Sequence, residues 1–282
     1  IKVLKDFKYV DKIINFDQKG KLVKEQYDLF LNFSPGWKSF FLCLFSTSTL
    51  KGNLIFKSRY KNIIYSKLYI SILSYFFFNK TLIVDRLARF KQKQSIHQTE
   101  MMFELLDKFN IVNNKENSLE IFLPRFKYLI SKKKICVIHL TSKWINYYYD
   151  EKDLLKLILI LEKNFTIALT TDETTKKKFK LVFNEMPLIN NKDFEKLENL
   201  DNKIILDNLE FKNWVQVIYA SSLVITPECG CTHIAAICKI NTKIIYDPNN
   251  MPDMIHKEYY PWKNNHEKFI FNNKDLNNQL TK

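Results

Sequence analysis

The chain has 282 residues, 46% of them hydrophobic, enough for one large or two ordinary globular domains around a sizeable core. Lys and Arg number 44 against 30 Asp and Glu; the resulting +14 favours anionic partners such as nucleotides, phosphorylated glycolipid, acidic membrane surface or nucleic acid, without choosing among them. The five Cys lie scattered in apolar stretches, which argues against a secreted disulfide framework and for a reducing, cytoplasmic compartment, and the longest apolar run, Leu68 to Phe78, is too short for a bilayer core of about 20 residues.

In chain order, the sequence opens on Ile followed by a basic helix-like stretch, so the chain is expected not to begin where its gene begins. A strand is expected at Lys12 to Phe16 and a buried parallel strand at Tyr27 to Phe33, bounded by Ser34-Pro35-Gly36. Trp37 to Phe45 reads as helix, Asn53 to Phe56 and Thr81 to Val84 as strands, and Ile96 to Phe109 as a helix with Met101, Leu105 and Phe109 at helical spacing. The aromatic stretches Trp37 to Phe45 and Leu68 to Phe78, with Lys38, Lys67 and Lys80 nearby, can rest at a lipid interface, but core packing is the preferred reading. Between Ile111 and Lys134 the composition turns to Asn, Lys and Glu around a short strand, Leu119 to Leu123, and the boundary between two domains, 1–126 and 127–282, is placed there.

The second half alternates regularly. Strands are expected at Ile135 to His139, Thr166 to Thr170, Lys203 to Ile205, Leu223 to Thr226 and Lys243 to Tyr246. Helices are expected at Glu151 to Lys163, Thr174 to Phe183, Phe211 to Ser221 and Thr232 to Cys238. Such alternation with short connections implies a doubly wound parallel sheet, whose ligands sit beyond the carboxyl ends of its strands.

Two post-strand loops gather the polar residues, HLTSKWIN after the strand at 135–139 and PECGCTH after the strand at 223–226. In the second, Gly230 permits close approach of backbone to ligand and Thr232 can cap a helix beginning near His233, an arrangement suited to a diphosphate, while Glu228 can accept from sugar hydroxyls. The alternatives are a plain turn, a plain cap and a solvated carboxylate. Cys229, Cys231, His233 and Cys238 could bind zinc, but on one helix His233 and Cys238 would point roughly 140° apart, so buried apolar cysteines are preferred, and no third group orients a nucleophilic thiol. In the first loop Thr141, Ser142 and Lys143 offer two hydroxyls and a cation to phosphate oxygens, or form a solvated loop with Trp144 packed behind it. Glu173 could accept from ribose hydroxyls or support the start of a helix, the latter being preferred on local grounds.

Taken together, the segments resemble glycosyltransferase family 9, the lipopolysaccharide heptosyltransferases. Tyr27 to Ser34 resembles that family's YDLVIDLQGS strand and loop, His97 to Leu106 its mid-chain helix opening with His, and Val137 to Tyr148 its PG(A/T)-type phosphate loop. Trp214 to Ser221 followed by Leu223 to Ala236 is similar to the stretch ending D-(S/T)-G-x-x-H-x-A-A, and Pro261-Trp262 to the family's late PW; the most specific part is TPECGCTHIAA, Thr226 to Ala236. The resemblance implies a GT-B-like α/β fold, two Rossmann-like domains with parallel sheets facing a cleft. It further implies a donor site that includes Thr141, Ser142, Lys143, Glu173, Glu228, Cys229, Gly230, Thr232 and His233. Glu228 stands where most members have Asp and Cys229 where they have Ser or Thr, whereas Gly230 and His233 keep the family residues. The family's phosphate-loop lysine falls on Asn146, leaving Lys143 as a substitute. The family's first strand, whose loop bears an acidic residue proposed as catalytic base, has no counterpart before Ile1, so the first domain is expected to lack that strand and the base is unassigned.

The implied chemistry is inverting transfer of a sugar, ADP-heptose by resemblance, to a lipopolysaccharide core-type acceptor. It needs no metal or cofactor, since backbone N–H groups and Lys stabilise the departing diphosphate. A phosphorylated glycolipid acceptor would bring the protein to the inner face of the inner membrane as a peripheral visitor. The rival from another class is a degenerate, non-catalytic sugar-nucleotide or glycan-binding protein. Nucleic-acid binding through the +14 charge ranks last, because no helix-turn-helix, zinc finger or aromatic RNA-binding motif is present.

Overall fold

The computed structural model describes residues 25–34, 36–57, 72–111, 129, 131–144, 150–194, 196–197, 199–200, 202–271 and 275–281; the strands expected at 12–16 and 119–123 lie outside these. The chain divides into two compact units, Ile1–Ser118 and Leu119–Lys282.

In the first unit, β1 (Leu29–Asn32), β2 (Leu50–Phe56) and β3 (Lys80–Val84) form a parallel sheet in the order β1-β2-β3. Alternation along β2 assigns its side chains to opposite faces. Ile55 joins Phe40 and Cys43 of α1 (Trp37–Leu44) and Phe78, whereas Leu54 and Phe56 join Leu82, Val84 and the Met101 and Leu105 of α3 (Gln98–Asp107). Gly52 is dictated by packing: a Cβ there would stand 2.6 Å from Phe109 Cε2 and 2.7 Å from Leu31 Cδ2. His97 opens α3, its ring nitrogen Nδ1 accepting from the Thr99 N–H at 3.3 Å. Arg89 of α2 (Arg86–Lys91) clamps Glu104 of α3 through two bonds of 2.8 Å.

The second unit is a seven-stranded sheet, parallel in every pairing, with strand order β10-β9-β8-β4-β5-β7-β6. Its strands are β4 (Lys134–His139), β5 (Phe165–Thr171), β6 (Leu188–Ile189), β7 (Ile204–Asp207), β8 (Leu223–Pro227), β9 (Asn241–Tyr246) and β10 (His266–Ile270). Strands buried on both faces explain the apolar centres of β4, β5 and β8, interrupted only by buried threonines. One face carries Cys136, Ile138, Ile167, Ile205, Ile225 and Ile245 against Leu154, Leu157, Ile158 and Leu161 of α4 (Glu151–Leu161) and Leu276 and Leu280 of α11 (Leu276–Thr281). The other carries Ile135, Val137, Ala168, Leu206 and Val224 against Phe194 of α7 (Asn191–Phe194), α8 (Phe211–Ala220) and α9 (Gly230–Ile237). α9 contributes Ala235 and Ala236, small residues that let it lie close to the sheet.

Three expectations are corrected. The single helix expected from Thr174 to Phe183 is two, α5 (Glu173–Lys176) and α6 (Lys180–Glu185), because Phe179 between them leaves the helical region at φ −119°, ψ 52° and turns its ring into the core. The sequence reading also ended its sheet at Tyr246, whereas α10 (Pro252–Tyr259), β10 and α11 continue it, β10 as a parallel edge strand on β9. Finally, core packing does not account for the aromatic stretches of the first unit. Phe40 and Phe78 are buried, yet Phe45, Tyr75, Phe76 and Phe77 are largely exposed.

Candidate functional site

The chain proceeds outward from β4 through β5 to the edge strand β6, fills the position between them with β7, then crosses to the other side of β4 with β8 and continues to β9. The order reverses between β4 and β8, the switch point at which the connections leave the sheet toward opposite faces and open a crevice beyond the carboxyl ends. The two polar loops singled out in the sequence follow these two neighbouring strands.

The β4 loop is built on Trp144. Its ring is fully buried, and its Nε1–H donates to the His139 carbonyl at 2.8 Å, fastening the turn to the end of the strand. Thr141 tightens the same turn, its Oγ1 accepting from the Lys143 N–H at 3.3 Å and its carbonyl from the Trp144 N–H at 3.1 Å. Ser142 and Lys143 are thereby left half-buried at the crevice. His139 is held below, Nδ1 and Thr170 Oγ1 2.9 Å apart and its ring centroid 5.3 Å from that of Trp214. Burial depresses its pKa from 6.5 to about 4, Asp172 partly opposing, so the imidazole is neutral at pH 7.

Lys143 reaches across the switch point. Its Nζ donates to Glu228 Oε2 at 2.9 Å and to the Glu228 carbonyl, tying the loop after β4 to the loop after β8. Beside this pair a cavity of about 170 Å³ is lined by Lys143, Glu228, Tyr246, Asp247, Asn250, Pro252 and Ile255. Its floor is the end of β9 and its wall the start of α10, entered through Met251 in a left-handed conformation at φ 45°. Sequence reading missed Asp247 and Asn250, although Asp247 directly follows a strand and the carboxyl-edge rule would have pointed to it.

The remaining candidates are placed as follows. Gly230 is the exposed first residue of α9, and a Cβ there would meet nothing within 4 Å. Neither a strained turn nor a crowded neighbour explains the glycine, which leaves open space over the helix entrance. Thr232 is not the cap expected of it: Cys229 is the N-cap residue, α9 starts two residues before Thr232, and the buried Thr232 hydroxyl donates back to the Cys229 carbonyl at 2.8 Å. His233 sits exposed in the first turn of α9. At α5, the side chain that caps is Asp172, accepting from the Thr175 N–H at 2.6 Å, and Glu173 is the first helical residue; nothing further is described of its side chain. Asn146 lies outside the described residues.

The cysteines of the second loop are thiols. Burial pushes Cys229 and Cys231 up and Cys238 to about 12; for Cys229, bonds from its neighbours and Lys143 only partly oppose this. Protonated sulfur in such surroundings is a poor nucleophile. Thr226 Oγ1 and Cys229 Sγ lie 3.3 Å apart, so Cys229 holds the loop against its strand. The arrangement thus offers a cation paired to a releasable carboxylate, a helix entrance without acidic residues in its first turn, and a small cavity with two carboxylates and an amide. These groups can hold an anion beside a polyhydroxylated fragment.

No protein-family model and no curated protein matches the sequence. Solved structures do match the fold. The glycosyl transferase family 9 structure from Veillonella parvula aligns with 90% of this chain and 66% of its own at a TM-score of 0.63 and 12% identity. The E. coli heptosyltransferase WaaC with ADP aligns at 0.58 and 15% identity, over 89% of this chain and 69% of that one. The E. coli ADP-heptose lps heptosyltransferase II aligns at 0.53 and 11% identity, over 90% and 71%. The chain therefore spans about two thirds of the length of these structures. Its fold is theirs: parallel α/β sheets in two units, as the resemblance implied.

Proposed function

We propose that the chain is a glycosyltransferase of family 9 whose second unit binds the diphosphate of a nucleotide sugar in the crevice beyond β4 and β8. The observation that carries this reading is the Lys143–Glu228 bridge, since it places a cation at the switch point, beside the entrance of α9, in a fold shared with heptosyltransferases. Lys143 fills the electrostatic role of the family lysine whose place the resemblance sets on Asn146. On donor binding the ammonium exchanges the Glu228 carboxylate for diphosphate oxygens, freeing Glu228 to accept from the sugar hydroxyls. Thr141 and Ser142, on the loop of Lys143, and Gly230 and His233, in the first turn of α9, would contact the same donor, and Asp247 and Asn250 line the cavity that would receive the sugar.

In the transfer step an acceptor hydroxyl oxygen attacks the anomeric carbon from the face opposite the phosphate. The bond between that carbon and the phosphate oxygen breaks, its electron pair leaving with the nucleoside diphosphate, and the configuration inverts. Lys143 and the N-terminal end of α9 stabilise the charge that grows on the leaving oxygen. The acceptor proton passes to a base that is unassigned. A heptose as the sugar and a lipopolysaccharide core-type glycolipid as the acceptor follow from the resemblance, the fold match supporting glycosyl transfer at the coarser level.

Isothermal titration of the chain with ADP, GDP and UDP sugars tests the donor site. One nucleotide series is expected to bind in the micromolar range with a dependence on Lys143. A folded sample that binds none of them removes the proposal.

A further inference from the structure

The end of the second unit's sheet opposite the crevice holds a larger cavity, about 650 Å³, that the donor site leaves unused. Strand register explains why it is there. β5 is paired with β4 from Phe165 to Thr170, but β7 joins it only at Ala168, opposite Ile204. The first three residues of β5 therefore have a neighbouring strand on one side alone, and Pro187 and Lys203, which lead into β6 and β7, stand across the gap. The volume lies within the range of small-molecule sites, roughly 300 to 1,000 Å³.

Charge selects the ligand. Three segments far apart in sequence each bring a lysine to this cavity: Lys133 before β4, Lys163 after α4 and Lys203 before β7. Among the described residues that line it, Glu162 is the one carboxylate. Its side chain pairs with Lys203 Nζ at 2.9 Å, while Lys133 Nζ donates to the carbonyls of Glu162 and Lys163 at 2.8 and 3.3 Å, satisfying the end of α4. Two ammonium groups are thus held in place by the protein, and each has donors to spare, since an ammonium carries three. Lys163 is exposed, its ammonium unpaired among the described residues. Three ammonium groups against a single carboxylate leave an excess that a phosphate monoester matches, carrying a charge of about −2 near neutral pH. Phe165 and Pro187 supply an apolar wall beside these cations, so the complementary ligand joins a phosphate to an apolar ring. At about 3.3 Å per residue, the seven residues of β5 separate the cavity from the carboxyl edge, and so from Lys143, by roughly 20 Å.

We propose that this cavity, at the amino ends of β5 and β7, is a second anion site that binds a small phosphate monoester bearing an apolar ring through Lys133, Lys163 and Lys203. It shares no residue with the donor site, so the two readings stand or fall separately.

Phenyl phosphate is the probe, titrated calorimetrically into the full chain at pH 7.5. Phenyl sulfate, with the same ring and a smaller charge, and inorganic phosphate, which lacks the ring, are the comparisons. Phenyl phosphate is expected to bind with about ten-fold higher affinity than either, and less tightly as salt is raised. Lys163→Glu alters an exposed side chain, so its circular dichroism and melting should match the parent closely while its affinity for phenyl phosphate falls about ten-fold or more. Location is read in the unaltered protein by mass spectrometry after brief treatment with acetic anhydride. Phenyl phosphate should protect Lys133, Lys163 and Lys203 from acetylation and leave Lys143 reactive. No binding of phenyl phosphate, equal binding of phenyl sulfate, undiminished affinity in Lys163→Glu, or protection that falls on Lys143 instead overturns the proposal.

Discussion

Lys143 and Glu228 are separated by 85 positions in the chain and 2.9 Å in space, and each has a reason to stay where it is. The pair is partly exposed, with side-chain accessibilities of 38% and 27%, so its own contribution to folding is small, below about 1 kcal/mol. Lys143→Met should therefore leave the melting temperature nearly unchanged. If the ammonium meets a diphosphate, the same variant loses a charge-assisted hydrogen bond of about 1.5 to 3 kcal/mol, a ten- to hundred-fold weaker titration with the nucleotide that binds the parent. Retained affinity would separate the bridge from the donor site. Gly230 provides the complementary test: because a side chain there meets no protein atom within 4 Å, Gly230→Trp should fold and melt like the parent while abolishing nucleotide binding by filling the crevice. A variant that binds normally would show that the ligand does not approach the α9 entrance. At this scale the sequence reading named Glu228, Gly230 and Lys143 but misjudged Thr232. Hydroxyl capping was inferred from residue type, whereas the helix begins two residues earlier, at a position whose local pattern Gly-Cys-Thr carries no start signal strong enough to fix it.

Among the elements, those with apolar runs bounded by turns were legible, because a parallel strand covered on both faces has to be apolar throughout. β4, β5 and β8, with α4 and α8 between them, were therefore placed within a few residues, whereas the strand order that sets β8 beside β4 and so creates the switch point depends on pairing between distant segments and was not legible. β10 was not legible. Its sequence His-Glu-Lys-Phe-Ile is that of a half-exposed edge strand, and only its pairing with β9 makes it a strand. The aromatic helices failed for a different reason: hydrophobicity states what a side chain would gain by burial, not whether the fold supplies a partner. Trp144 shows the opposite case, an element of the site that is fixed by burial. Trp144→Phe keeps most of the apolar packing but strips the donor from the His139 carbonyl, leaving an acceptor in the interior and costing about 1 to 2 kcal/mol. Urea unfolding measures that loss. Because the ring anchors the turn that carries Lys143, nucleotide affinity should fall as well, with the enthalpy of binding changing more than expected for a remote stability defect. A variant equally stable and equally active in binding would mean that the turn is held by Thr141 alone.

For the molecule as a whole, two imidazoles tie the stability of the second unit to pH. His139 at the switch point and His256 on α10 both have pKa values lowered from 6.5 to about 4. For each, burial is the main cause; at His256, His266, whose Nε2 lies 3.0 Å from the Nε2 of His256, and then Lys268 push in the same direction, with Asp253 opposing. A depressed histidine binds its proton more readily in the unfolded chain, so its contribution is fully present above pH 6.5 and is lost as pH falls toward 4. At pH 5.5 each group is about one unit below its unfolded pKa, which corresponds to roughly 1 kcal/mol per histidine before allowance for partial exposure, and about 1 to 2 kcal/mol for the two. This pH lies above the ordinary carboxylate range, so the loss is not that of acid-titrated ion pairs. The net charge of +14 grows more positive over the same interval, and self-repulsion acts in the same direction. The expected outcome is a lower urea midpoint at pH 5.5 than at pH 7.5, with hydrogen exchange assigning the weakened protection to 119–282. In His139→Gln and His256→Asn the difference between the two pH values should shrink, whatever each substitution does to absolute stability. A midpoint that holds or rises on acidification would mean that the two rings are not kept neutral by the fold, the His139 imidazole beneath the β4 loop included.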